Sequence, residues 1–222
     1  MSHRHPVVAA LWLAAALVLF GCSGTDAPDT AQVLEDDAGA PSEGAVADPD
    51  TEDEALQSEE TSEDGRTVEV AGDGTILVGG DQASFVMPSG NIQCVMRAAS
   101  VVCQIAEKDF EPVEDDLNPD ALGDCGVDTA DAVTVLAGSR ATWGCTSETI
   151  RGQAALGLGG WWAADGVGET EEIQGTDLAV LAYDSSLQVG SMLCRSSLTD
   201  VTCRDLDSTH GFTLAREAYS AS

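Results

Sequence analysis

Positive charge is what this sequence lacks most. Nine lysines and arginines stand against 39 aspartates and glutamates, a formal net charge of −30 over 222 residues, and Lys108 is the sole lysine. A field of that sign repels phosphate backbones, so nucleic acid is excluded as a partner, and it disfavours peripheral docking on anionic head groups. Aromatic residues make up only 5% of the chain, and none falls between Ser23 and Arg66. Histidine is scarce as well: beyond residue 22 the chain has only His210. Neither G-x-S-x-G nor H-E-x-x-H occurs, which removes the commonest serine-hydrolase and zinc-protease signatures. Long apolar runs are also missing, apart from Val7 to Phe20 near the start. That run is shorter than the ~20 residues a spanning helix needs.

With Arg4 before it, the run reads as a secretory signal peptide, residues 1–21. It ends Leu19-Phe20-Gly21-Cys22, which resembles a bacterial lipobox whose cysteine receives the diacylglycerol, although Phe20 is larger than the usual residue there. Cys22 is therefore the expected lipid-attachment residue. The expected location is the extracytoplasmic face of the cell membrane, with acyl chains contributing ~0.8 kcal/mol per buried methylene. Residues 22–66 follow as a tether of Ala, Asp, Glu, Ser, Thr, Gly and Pro, with Arg66 as its one base. Such a composition cannot bury enough apolar surface to offset chain entropy, so the segment is expected to be disordered. A flexible coil of that length spans roughly 35–40 Å, and self-repulsion extends it further. Its expected role is a spacer.

From residue 67 to 222 the texture changes to short β-type runs separated by Gly, Pro, Asn and Asp. Strands are expected at 67–70, 75–78, 84–87, 91–96, 101–105, 133–136, 140–145, 178–183, 192–196, 201–204 and 211–215. That spacing argues an all-β fold, a small antiparallel β-sandwich or partly open barrel. Residues 109–131, acidic and containing Pro and Asn, read as a long surface loop with at most a short helix near Ala121 or Thr129–Ala132. Residues 151–176 resist assignment.

Cysteines supply the framework. After Cys22 the chain holds Cys94, Cys103, Cys125, Cys145, Cys194 and Cys203, an even number in an exported protein, which points to disulfides. Cys94/Cys103 and Cys194/Cys203 both follow C-x8-C, the spacing that places two cysteines opposite each other on a hairpin face. Parity agrees: Ile92, Cys94 and Met96 share a face with Val101, Cys103 and Ile105, while Gln93, Arg97 and Gln104 point away. Met192, Cys194, Val201 and Cys203 align likewise, and Cys125 pairs with Cys145 by elimination. C-x8-C is not a zinc-knuckle spacing, so no metal or other cofactor is expected. The two hairpins echo each other weakly; duplication and independent stapling both account for that.

Phe85-Val86-Met87-Pro88-Ser89-Gly90-Asn91-Ile92-Gln93-Cys94, then Cys103 through Phe110, resemble an uncharacterised family of exported actinobacterial domains that read F-x-S-P-S-G-N-I-x-C before an acidic–aromatic step. Val180 to Leu187 resembles the same family's V-L-P-Y-G-T-S-L, and Cys194, Cys203 and His210 to Tyr219 resemble its closing C…C…GHGF-x-L-S-R-x-x-Y. Met87 and Asp184 depart from the pattern, and 151–176 looks like an insertion. The resemblance implies an exported domain and no particular activity.

Candidate chemistry is sparse. No residue is assigned a catalytic role. His210, at a strand entrance, is the one general-base candidate, and a turn histidine accounts for it more simply. Asp116-Leu117-Asn118-Pro119-Asp120 alternates oxygens as a calcium loop does, but Ala121 and Val127 stand where the EF-hand needs Gly and Glu. Trp161 and Trp162 are candidate ligand contacts, on sugar rings or on a partner, or else a lid over one end of the sandwich. The expectation is a non-catalytic envelope binding module facing cell-wall polymer or another envelope protein. The alternatives are a polymer hydrolase using carboxylates or His210, and a purely structural surface lipoprotein.

Overall fold

The structure is a computed structural model that describes residues 60–61, 65–123 and 125–222. The signal peptide, Cys22 and the tether up to residue 59 lie outside the described residues. Two sheets enclose one core, with no closed barrel. The first half of the domain supplies β2 (Thr67–Val70), β3 (Ile76–Gly79), β4 (Ala83–Val86), β5 (Ile92–Arg97), β6 (Ser100–Ile105), β7 (Ala132–Leu136) and β8 (Thr142–Gly144). The second supplies β9 (Glu169–Ile173), β10 (Thr176–Val180), β11 (Ser186–Val189), β12 (Met192–Ser196), β13 (Asp200–Asp205), β14 (Gly211–Ala215) and β15 (Tyr219–Ala221). Ahead of both, β1 (Glu60–Thr61) pairs with β2, so the end of the expected tether contributes a short strand.

The strand orders carry a pattern that the sequence barely hints at. One sheet runs β1-β2-β3-β11-β12-β13-β14-β15 and the other β8-β7-β6-β5-β4-β10-β9. Each half is a leading hairpin followed by a five-strand meander, and each leading hairpin crosses over to extend the other half's meander. The crossovers are parallel, β3 on β11 and β10 on β4, within a sandwich that is otherwise antiparallel, as expected. A leading hairpin that stayed beside its own meander could not form them. Equivalent hydrogen bonds recur at both places: Ala106 N donates to Asn91 O at 2.9 Å, and Leu206 N to Ser191 O at 2.8 Å. Likewise Ile105 N reaches Asp131 O, and Asp205 N reaches His210 O. The weak echo between the hairpins is thus a repeat of the whole topology.

All three bridges are present: Cys94–Cys103, Cys125–Cys145 and Cys194–Cys203. The hairpin pairs are direct cross-strand partners, as the parity argument requires. What spacing could not reveal is that the two bridges meet. Cys103 Sγ and Cys203 Sγ lie 3.9 Å apart across the core, and the Cys94, Cys103 and Cys203 sulfurs are mutually within 4.8 Å. All four of these cysteines are buried, among Phe85, Met96, Val133, Leu187, Met192 and Leu214. Sulfur held in a disulfide is no thiolate, so this cluster is packing rather than a ligand set.

Strands predicted at 67–70, 192–196 and 211–215 match in full. β9, β11 and β15 went unpredicted. β9 reads Glu-Thr-Glu-Glu-Ile, an exposed edge strand whose charges guard against edge-to-edge pairing, so it carries no apolar alternation to detect. The 109–131 segment holds a 3-10 turn at Glu114–Asp116 and a short helix at Pro119–Leu122, close to the expected Ala121. Asn118 caps that helix by accepting from Asp120 N at 3.1 Å, and Pro119 opens it, as suits its fixed φ.

Removing one hairpin bridge by the pair Cys94→Ser and Cys103→Ser should lower the unfolding free energy by about 2.5–3 kcal/mol on chain entropy alone, with extra loss from the disturbed core. Urea denaturation of the oxidised variant and parent measures this; an unchanged midpoint would contradict the packing role given to the sulfur cluster.

Candidate functional site

His210 sits in the turn before β14, with its backbone N donating to Ser208 Oγ at 3.2 Å. Its Nδ1 is buried without a hydrogen-bond partner. A general base needs a proton donor in reach and an acid to orient it, and among the described residues no side chain hydrogen-bonds or ion-pairs with this ring.

The buried carboxylates have structural partners. Asp116 is 4% exposed; it accepts Tyr219 Oη at 2.8 Å and pairs with Arg140 Nη2 at 2.7 Å. Tyr219 Oη in turn accepts Val113 N at 2.8 Å, and its ring meets Phe110 and Trp143, each with centroids 5.1 Å away. Burial raises the Tyr219 pKa, with the Asp116 charge adding to it. Asp116 and Asn118, two of the oxygen donors in the calcium-like run, are thus occupied by an arginine, a phenol and a helix cap. Asp205 accepts Gly138 N at 3.0 Å. That bond first, then the hydroxyls of Ser208 and Ser191, holds its carboxyl at about 2.

A polar network occupies the outer face of β5 and β6. Gln93 and Gln104 point away from the core as expected, yet both are buried. Gln93 Nε2 donates to Gln104 Oε1 at 2.8 Å, and Gln104 Nε2 to Asp131 Oδ2 at 2.7 Å and to Thr146 Oγ1. Ile150 N closes the network on Gln104 Oε1 at 3.0 Å. The chain between β8 and β9 therefore covers this face, where the amide nitrogens of Gln93 and Gln104 and the Gln104 oxygen find partners while Gln93 Oε1 has none among the described residues.

The two tryptophans part company. Trp162 is 1% exposed and belongs to the core, with Nε1 donating to Ser84 O at 2.9 Å. It has no surface to offer a ligand, so that half of the pair is packing. Trp161 is half-buried; its Nε1 donates to Gln82 O at 3.1 Å and the Arg66 guanidinium stacks 5.2 Å from the ring centroid. It borders a groove of about 490 Å³ with Gln82, Gln153 and Leu158. Gly160 permits the turn there, since a Cβ would stand 2.0 Å from Ala154 O.

A larger groove, about 610 Å³, opens beside Arg151, the first residue of a 3-10 turn (Arg151–Ala154). Its walls come from the Pro88–Asn91 turn, the end of β6, Arg151, the β12–β13 hairpin tip and the β14–β15 turn. The turns are pinned: Asn91 Nδ2 donates to Glu107 O and Asn91 Oδ1 accepts Glu107 N. Asp109 N donates to Arg216 O, while the Arg216 guanidinium pairs with Glu107 and Asp109 at 3.4 and 3.3 Å. The Pro-Ser-Gly-Asn, acidic–aromatic and Arg-x-x-Tyr motifs thus converge here from distant parts of the chain. Sequence reasoning quoted these motifs but had no means of placing them together.

Compared with known proteins, the chain matches no family model, no curated protein and no solved structure.

Two outcomes test this account. Tyr219→Phe removes a donor from the buried Asp116 and should cost about 1–3 kcal/mol in denaturant unfolding. Asp205 has its folded pKa depressed to about 2, against an ordinary value near ~3.9. Its contribution is therefore complete above about pH 4 and is lost as pH falls toward 2. In Asp205→Asn the stability difference from the parent should shrink across that window; a difference constant from pH 6 to 2 would refute the assignment.

Proposed function

We propose that the chain is a lipid-anchored envelope protein, tethered through Cys22 on the extracytoplasmic face, whose β domain is a non-catalytic binding module for cell-wall polymer or another envelope protein. The observation that carries the binding role is the groove beside Arg151, walled by loops from both sheets at one end of the sandwich. Loops on a rigid scaffold are the usual place for recognition. Three disulfides in one small domain suit an oxidising exterior. The Leu-Phe-Gly-Cys run ending at Cys22 supports the anchor, and the acidic tether supplies reach. The resemblance to exported actinobacterial domains, carried by the motif residues, supports this placement.

Cys22→Ser should release the protein from the membrane fraction, and metabolic labelling with a palmitate analogue should fail on that variant. Leu198→Asp, on the exposed hairpin tip, should reduce retention of the protein on isolated cell envelope by several-fold. Retention equal to the parent's would count against the groove as the binding face.

A further inference from the structure

The repeated topology supplies an internal comparison, because each feature of one half has a mate in the other. In one half the β5–β6 hairpin tip closes against the β11–β12 turn. Ser191 N donates to Ala98 O at 3.1 Å, and Ser191 Oγ approaches the same oxygen at 3.4 Å. Gly190, at φ +56°, lies so near that a Cβ there would stand 2.5 Å from Ala98 O. That end is sealed by backbone.

The mate of this contact would join the β12–β13 tip, Ser197–Thr199, to the β4–β5 turn. No hydrogen bond joins them among the described residues, and the 610 Å³ groove lies between. The physical reason is visible in the turns. β11 and β12 are linked by Gly190–Ser191 alone, whereas Met87–Asn91 makes a longer excursion between β4 and β5. The tip residue Leu198 is left 76% exposed. The groove is therefore the place where two otherwise equivalent ends differ.

Its charge layout is specific. Arg216 is paired with Glu107 and Asp109. Among the described residues Arg151 has no carboxylate partner: Nη2 donates to Gly90 O at 2.7 Å, and Nε is buried without one. The bond to Gly90 O fixes the guanidinium in the groove wall, and a planar carboxylate is the anion whose geometry matches a guanidinium. Glu107 and Glu217 on the rim oppose a multiply charged phosphate, while Leu198 at the mouth suits an apolar group. Resting on the binding-module reading above, we infer that this groove holds the free C-terminal carboxylate of a peptide with a small apolar terminal residue, with Arg151 as its anion partner.

The test uses the intact chain, 15N-labelled, titrated with acetyl-Ala-Ala and separately with its C-terminal amide. The acid should give saturable shifts at Gly90, Asn91 and Thr199, with the amide at least tenfold weaker. Arg151→Gln should abolish the response while leaving resonances of the distant Thr67–Val70 strand unmoved, and Arg151→Lys should recover only part of it. Equal responses to acid and amide, unaltered binding by Arg151→Gln, or no saturable shift at millimolar peptide would each overturn the inference. Envelope retention of Leu198→Asp separates the two claims: if retention falls while the acid and amide behave alike, the carboxylate is wrong and the binding module stands. Retention that does not fall removes the module itself.

Discussion

The contact between the two hairpin disulfides organises this domain. Each bridge fixes the register of one hairpin, and the two sulfur pairs then pack against each other where the sheets face. A one-residue slip in either hairpin would turn its cysteine outward and reverse every neighbouring side chain. Register, sheet pairing and core composition are in that sense one constraint. The small aromatic content of the chain makes the arrangement intelligible: with few large rings to fill the interior, buried sulfur takes on part of the packing.

Around that centre the halves exchange their leading hairpins, which makes each sheet a product of both. The exchange has an energetic consequence. Neither half owns a complete sheet, because β2–β3 and β9–β10 find their inner neighbours only in the opposite half. The polar elements then serve as stitching between the halves. Asp205 grips the β7–β8 turn through Gly138, and Arg216 grips the end of β6 through Glu107 and Asp109. Asp116, Arg140 and Tyr219 fasten the long β6–β7 connection. Of these, Asp116 and Asp205 are buried and must be satisfied by their partners, whereas the Arg216 pairs are exposed and contribute little energy. Acidic residues are abundant, yet the informative ones are few, and each is recognised by its partner rather than by its type.

Departure from the internal repeat is what gives the domain a face. The β8–β9 connection covers the outer side of β5 and β6 over the Gln93–Gln104 network, then presents Arg151 to one groove and Trp161 to another. A symmetrical molecule would have sealed both ends as Ala98 and Ser191 seal one. The longer turn at Met87–Asn91 prevents that, and the exposed Leu198 is the residue it leaves uncovered.

The β character, both hairpin bridges and their inward faces were legible in residues 84–105 and 192–215, because alternation has period two and C-x8-C matches it. The third bridge followed from counting. Sequence reasoning missed β9 and β11 for identifiable causes: β9 is a charged edge strand, and β11 alternates but is only four residues long. It grouped Trp161 with Trp162 since adjacency is all that a sequence records, whereas a 3-10 turn at Trp161–Gly166 sends one indole into the core and leaves the other half-buried at the surface. By itself the chain determined composition, local strand pattern and the pairing of nearby cysteines, all of which depend on short-range periodicity. The meeting of the two bridges, the hairpin exchange and the open end were decided by tertiary structure, because they depend on contacts between residues about a hundred positions apart.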